Sequence, residues 1–411
     1  MTTSPHVHPD HAWRRNLLVC AIGSFTTIIG MTLILPILPL YVHDLGVTEP
    51  GAITTWSGIA YAATFLTAAL TAPLWGHLGD RFGRKPMLIR ASLGMAIAMS
   101  LIGLAQDVYQ LVLIRLLAGL LGGYASGSTI LVAAQTPKGR SAWALGVLSS
   151  AIMAGNVVGP LLGGTIAQAF GVEIAFLSTG ALIFLAFLGT AFFLTEQPRQ
   201  RRRQTRQKTR VRGWKDIPHK SIVIALLGLS VLLMFATISV EPIITVHVEH
   251  LTGSTEHVAI YAAVVFSLTA LGTILSGPWL GKLADYIGHL RVLTASLAAA
   301  TLLLALQAVA PDLWTFASLR FATGIALGGI TPTVVATIRR LLPETSVGLV
   351  LGYNVSAQYL GQVTGPILAG ILGGALGTNA VFVATAIVTG TGLLAALAIS
   401  KKLTALHDTN A

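Results

Sequence analysis

The chain has 411 residues, 54% of them hydrophobic and 10% charged. A soluble domain carries roughly 25% charge, so a water-soluble globular protein is excluded. The net charge of +11 would suggest nucleic acid in a soluble protein, but here it falls between apolar runs and reads as membrane topology, with no nucleic-acid partner. The single cysteine, Cys20, excludes a disulfide framework and a cysteine metal site.

Apolar runs of roughly 20 residues, enough to cross about 30 Å of hydrocarbon, recur twelve times. They are expected near 16–42, 54–75, 87–105, 109–133, 142–168, 174–195, 221–248, 257–280, 291–310, 313–338, 348–374 and 379–399. The first follows Arg14 and Arg15 but is too long for a signal peptide's apolar core. Lys and Arg lie on alternate loops or the span ends beside them, apart from Arg115 and Arg320, and no opposite loop carries one. The positive-inside rule then puts both termini in the cytoplasm. The expected organisation is a cytoplasmic tail over 1–15, a six-helix bundle over 16–195, a basic cytoplasmic linker over 196–220, a second bundle over 221–399 and a tail over 400–411.

The cytoplasmic loop after the second span reads Gly76-His-Leu-Gly-Asp80-Arg81-Phe-Gly83-Arg84-Lys85 and returns 205 residues later as Gly281-Lys-Leu-Ala-Asp285-Tyr-Ile-Gly288-His-Leu. In the same register Leu113-Ile-Arg115-Leu-Leu-Ala-Gly119 matches Ser318-Leu-Arg320-Phe-Ala-Thr-Gly324. One residue further out, Gly155-Asn-Val-Val-Gly159-Pro160 matches Gly361-Gln-Val-Thr-Gly365-Pro366. The chain is an internal duplication, as many secondary transporters are. In the loop, glycines permit a tight turn, and an acid there can cap an adjacent helix N-terminus while the basic residues meet carbonyl ends or lipid phosphates.

Arg115 lies about six residues into the fourth span, where a charge costs several kcal/mol unless it is paired or hydrated. Arg320 repeats it in the tenth. Each is a functional candidate or a structural clamp. The fifth span places Gly155, Gly159, Pro160, Gly163 and Gly164 together, a pattern that brings helices close and bends one of them. The polar stretch from Glu196 to Lys215 is dense in Arg and Lys, which suits an anionic leaflet. The tail histidines His6, His8 and His11 have metal-like spacing but read as incidental. Glu241, directly before Pro242 in the seventh span, is the one carboxylate inside the spans so drawn. A carboxyl group taken out of water favours its neutral form and can carry a proton; the alternative is that the span ends earlier and Glu241 is wet. Polar or aromatic candidates for a substrate cavity are Trp56, Tyr61, Asn156, Tyr261, Phe266, Asn354, Gln358 and Gln362.

With these motifs the chain resembles the major facilitator superfamily, and within it the twelve-span drug:proton antiporters. Trp56-Ser-Gly-Ile and Arg115-Leu-Leu-Ala-Gly-Leu-Leu-Gly-Gly look closest to the enterobacterial-type multidrug exporters of that group. The resemblance implies an all-α integral membrane protein with two pseudo-symmetric six-helix bundles around a cavity that opens alternately to each side. It further implies that the Asp80 loop is a conformational latch and that Arg115 takes part in proton coupling. Two departures stand out. Thr32 precedes Leu35-Pro36 where several such antiporters have an acid, leaving Glu241 as the embedded carboxylate, and the second loop has Tyr286 and His289 in place of Arg81 and Arg84.

The expected function is proton-driven export of lipophilic small molecules across a bacterial cytoplasmic membrane, by a monomer without cofactor. A dedicated exporter of one natural product, such as a siderophore or other metallophore, is the alternative. The sequence shows no nucleophile with a paired base, no metal-ligand spacing and no phosphate-binding glycine loop, so an enzyme is not expected.

Overall fold

The computed structural model describes residues 9–196, 217 and 220–408. The basic stretch of the linker, His6 and His8 lie outside them. Helix is the one regular structure among the described residues, as expected of a backbone that must bond to itself in hydrocarbon. The first half runs α1 (Pro9–Leu33), α2 (Leu38–Asp44), α3 (Pro50–Phe82), α4 (Arg84–Ile102), α5 (Val108–Leu121), α6 (Tyr124–Gln135), α7 (Ser141–Phe170) and α8 (Val172–Phe193). The second runs α9 (Lys220–Ser239), α10 (Ile244–Thr252), α11 (Val258–Ile287), α12 (His289–Gln307), α13 (Leu313–Leu327), α14 (Ile330–Leu341), α15 (Glu344–Leu376) and α16 (Thr378–Asp408). Among the described residues eleven stretches are long and apolar enough to cross a membrane, and α13 with α14 makes the twelfth. α1 starts at Pro9, so its helix takes in part of the segment read as a tail.

Two compact units result: Met1–Tyr41 with Ala63–Arg199, and Val42–Ala62 with Gln200–Ala411. α3 therefore begins in the second unit and continues in the first. Packing repeats between them. In the first, α1 lies on α7 and α4 on α8; in the second, α9 lies on α15 and α12 on α16. The repeated glycines explain the first pairing in each. A Cβ on Gly155 would meet the Phe25 carbonyl at 2.9 Å and one on Gly159 the Ile29 carbonyl at 3.1 Å, while Gly163 faces Leu33 and Gly164 is buried beside it. On α15, a Cβ on Gly365 would meet the Phe235 carbonyl at 3.0 Å, and Gly361 faces Val231. Gly119 against Thr64 and Gly324 against Thr269 form a second matched pair. Because lipid tails are as apolar as leucine, such close backbone approach and its dispersion contacts hold the helices together.

Four expected spans are not single helices, and each break has a local cause. The first turns at Leu35-Pro36 between α1 and α2, and the seventh at a 3-10 turn over Glu241–Ile243 between α9 and α10. Proline lacks the amide donor and its ring opposes the preceding turn. The fourth breaks at Gly122-Gly123, where Gly123 takes a φ of +102°, open to glycine at little cost. The carbonyls left there are met by Arg90, whose Nη2 donates to Gly122 at 2.8 Å, and by the Trp75 indole, which donates to Leu120 at 2.8 Å. The Arg90 guanidinium also lies 3.5 Å from the centre of the Trp75 ring. The tenth breaks at the corresponding Gly328-Gly329. The starts of α5 and α13 also match: Asp107 accepts the Gln110 amide at 2.8 Å, and Asp312 the Trp314 amide at 2.9 Å.

The glycine seam gives a direct test. Gly159→Leu should lower the unfolding stability of the purified protein by about 1–3 kcal/mol through overpacking against α1. Gly146→Leu, on the same helix with no described atom within 4 Å of a new Cβ, should leave thermal unfolding near wild type.

Candidate functional site

The 3-10 turn that interrupts the seventh span places Glu241 within the second unit, partly buried. The Tyr61 hydroxyl donates to Glu241 Oε2, and the buried guanidinium of Arg320, 4% exposed, lies within electrostatic reach of the carboxylate. Each partner arrives by its own route. Pro242 forces the turn that carries Glu241. Tyr61 comes from the opening turns of α3, which pack closely on α15: Thr55 Oγ1 donates to the Gly370 carbonyl at 3.3 Å, and a Cβ on Gly51 would meet the Gly374 carbonyl at 2.8 Å. Arg320 projects from α13, which is seated on α11 through Gly272 and Gly324.

A carboxylate and a guanidinium in one poorly solvated region stabilise each other electrostatically, although no contact within 4.0 Å joins Glu241 to Arg320 among the described ion pairs. Arg320 Nε has no hydrogen-bond partner among the described residues, so Arg320 acts on Glu241 through its charge and not through a direct contact. The arrangement can hold a proton, release it, and change local charge by one unit as it does so.

The matching place in the first unit is different. Arg115 is 2% exposed, and its backbone carbonyl accepts from Thr64 Oγ1 at 3.0 Å. Leu35 precedes Pro36 where Glu241 precedes Pro242. The repeat thus carries an arginine twice but a carboxylate beside the break once.

The other cavity candidates do not all converge on Glu241. Asn354 is buried on α15 and accepts from Ser230 Oγ at 2.7 Å. Gln362 turns its amide toward Met234 Sδ at 3.6 Å. Phe266 is buried in α11, and Tyr261 on that helix is partly buried. Trp56 on α3 and Gln358 on α15 are partly buried in the second unit, and Asn156 is partly buried on α7 in the first.

The stretch from Gly76 to Lys85, expected as a loop, is helical up to a one-residue turn: residues 76–82 end α3, Gly83 makes the turn and Arg84 opens α4, with the turn closed by a carboxylate from outside it. Asp80 at the end of α3 pairs with Arg84 at the start of α4, across the Gly83 turn. The acid that caps α4 is Glu196, whose carboxylate accepts the backbone amides of Arg84 at 2.8 Å and Lys85 at 2.9 Å. Gly83, with φ +101°, lets the chain turn there, and a Cβ on it would meet Glu196 Oε2 at 2.7 Å. Arg81 stacks over Phe82, and a Cβ on Gly76 would meet nothing. In the second copy Asp285 lies 3.5 Å from His289 Nε2 and 3.7 Å from Arg340, so histidine occupies the place of Arg84 and an arginine from α14 joins it.

Glu196, at the start of the linker, drew no functional reading from the sequence, since nothing local links it to a turn more than a hundred residues earlier. The pairing of Glu241 with Arg320 had a signal, being the one intramembrane carboxylate and a cation in the same half.

A family model described as Major Facilitator Superfamily matches residues 20–266 and 226–408. "Multidrug resistance protein MdtG" of Dickeya zeae (strain Ech586) is 38% identical over 91% of this chain and 91% of its own length. The protein of that name from Proteus mirabilis (strain HI4320) is 36% identical over 92% of this chain and 94% of its own. Among solved structures, a bacterial homolog of the human lysosomal transporter Spinster, inward-facing and unoccupied, aligns with a TM-score of 0.78 at 15% identity, covering 97% of this chain and 98% of that one. A D-xylose-proton symporter aligns with a TM-score of 0.75 at 17% identity, covering 94% and 97%. At such identities these structures speak for the fold alone.

The Glu196 cap is testable in the intact protein. Glu196→Ala should cost about 1 kcal/mol of stability, the usual cost of a lost N-terminal cap, and should speed hydrogen exchange at the Arg84 and Lys85 amides. Glu196→Gln, which keeps one acceptor, should fall between it and wild type.

Proposed function

The chain belongs to the major facilitator superfamily, and from that premise we propose that it exports lipophilic small molecules by proton antiport, with Glu241 carrying the proton. It is a multi-pass membrane transporter rather than an enzyme. Relatives named multidrug resistance proteins support a broad substrate range. The observation that carries the proton assignment is the meeting of Glu241, Tyr61 and Arg320 at a break in the seventh span.

The coupling follows from charge. With Glu241 ionised, Arg320 is balanced and the Tyr61 hydroxyl makes a charge-assisted hydrogen bond, among the stronger kinds. Protonation weakens that bond and leaves the arginine's charge unmatched in a poorly solvated site, which disfavours a lipophilic cation nearby. Proton binding and substrate binding thus become alternatives, so that proton entry drives substrate release. Tyr61 lies one residue from the point where α3 leaves the second unit, so the state of Glu241 bears on the helix the two units share. Arg115 supplies the corresponding fixed charge in the first half. The Asp80–Arg84 pair and the Glu196 cap then act as a latch at the end of α3, with Asp285 as its counterpart. The two termini and the basic linker lie in the cytoplasm by the positive-inside rule, the membrane is the bacterial inner membrane, and the linker rests on anionic lipid. The working unit is a monomer.

In proteoliposomes with an imposed pH gradient, wild type should drive uphill efflux of a lipophilic dye and an uncoupler should stop it. Glu241→Gln should fall to the level of empty liposomes while still binding dye. Tyr61→Phe should slow turnover by roughly tenfold or more, given about 1.5–3 kcal/mol for a hydrogen bond to a charged group. Full-rate pH-driven efflux by the Gln variant would reduce Glu241 to a structural role. Asp80→Asn should slow turnover with dye affinity unchanged; wild-type turnover would make the loop topological only.

A further inference from the structure

A second amphipathic site lies in the first unit, where the start of α1 meets the start of α7. Trp13, Arg14, Leu17 and Leu18 from one side and Arg140 and Trp143 from the other line a cavity of about 610 Å³ that continues past Ala21 and Val147. Its mouth is cationic and aromatic. The Trp13 and Trp143 rings meet edge to face with centroids 6.4 Å apart. The guanidinium carbons of Arg14 and Arg140 stand 5.5 and 6.0 Å from the Trp13 ring centre. Beyond the mouth the wall is apolar, and among the described residues no acid lines it.

Three features bear on what this surface can bind. Trp143 and Leu18 are each 60% exposed, so both are open to a ligand lying in the groove. The Trp13 indole N–H is buried with no hydrogen-bond acceptor among the described residues, leaving one donor unmade beside the groove. Neither Arg14 nor Arg140 has a carboxylate partner among the described ion pairs. Two unmatched guanidinium groups beside indole rings, above an apolar trough, are complementary to one anionic head joined to an acyl chain. Arginine suits a phosphate because its planar donors match the oxygens two at a time, and tryptophan favours the headgroup level of a bilayer.

We infer that this groove binds one anionic glycerophospholipid, its phosphate between Arg14 and Arg140 and an acyl chain along Leu17 and Leu18. The site is separate from the basic linker and from Glu241. Its assignment to the cytoplasmic leaflet rests on the topology proposed above; the binding itself does not.

The test uses the full-length protein in mixed micelles with phosphatidylglycerol or phosphatidylcholine bearing brominated acyl chains, which quench nearby tryptophan. Brominated phosphatidylglycerol should quench wild type at lower mole fraction than brominated phosphatidylcholine. Arg14→Gln with Arg140→Gln should remove that preference, a loss of roughly 30-fold at about 1 kcal/mol per charge. Arg14→Lys with Arg140→Lys should keep most of it, which separates lost charge from a misfolded bundle. Trp143→Phe should reduce the phosphatidylglycerol-selective component of quenching, leaving the share that Trp13 reports. Equal quenching by both lipids, or a preference that survives the double Gln change, would overturn the site. Displacement of the brominated lipid by millimolar inorganic phosphate would overturn the lipid as occupant in favour of a free anion. Because micelles have no sides, an error in the topology leaves these results unchanged and would appear separately in cysteine-accessibility labelling of intact cells.

Discussion

Inside hydrocarbon no water is available to a backbone amide or carbonyl, so each must find its partner within the protein. Helices meet this requirement along most of the chain, and the places where they do not are confined to a few turns. At Gly122-Gly123 the freed carbonyl takes a donor from Arg90, and the neighbouring Leu120 carbonyl takes one from Trp75. At Glu241-Pro242 the turn is met by Tyr61 and by the charge of Arg320. A broken helix in a membrane is thus a place where polar side chains must gather, and polar side chains inside a membrane are where a proton can be held.

The duplication shows how this constraint was used unequally. Both halves break their first span before a proline, both break their fourth at paired glycines, and both place an arginine shortly before that glycine pair, Arg115 seven residues before Gly122 and Arg320 eight before Gly328. Both seat helices through glycine against carbonyl. Only the second half puts a carboxylate at the first break, so the symmetry of the scaffold does not extend to its chemistry. The two loop copies diverge in the same spirit: one is a close Asp–Arg pair with a capped helix behind it, the other a looser group of Asp285, His289 and Arg340.

Much of this was legible in the sequence. Apolar runs, the side preference of Lys and Arg, and three motif repeats in one register carry the twelve spans and the two halves. The glycine seams were legible as well, because a glycine every fourth residue has little other use on a helix buried against another. What the sequence could not supply were contacts between distant positions. Asp80 was the visible acid in the loop, yet Glu196 caps the helix, because capping depends on which carboxylate the fold brings to the amides of Arg84 and Lys85. The breaks at Gly122 and Gly328 were hidden inside continuous apolar runs, since hydropathy averages over the glycines that allow them. Tyr61 was one of several polar candidates, and nothing local set it apart from Asn354 or Gln362, which the fold directs to Ser230 and Met234.

The central claim is that substrate and proton move in opposite directions through a site built on Glu241. The most direct measurement is proton flux caused by substrate: liposomes containing the protein and a lumenal pH dye, with no gradient imposed, are given a sudden substrate gradient. Antiport predicts a lumenal pH change opposite in direction to substrate movement, present in wild type and absent from Glu241→Gln. Substrate uptake with no accompanying proton movement in wild type would contradict the account.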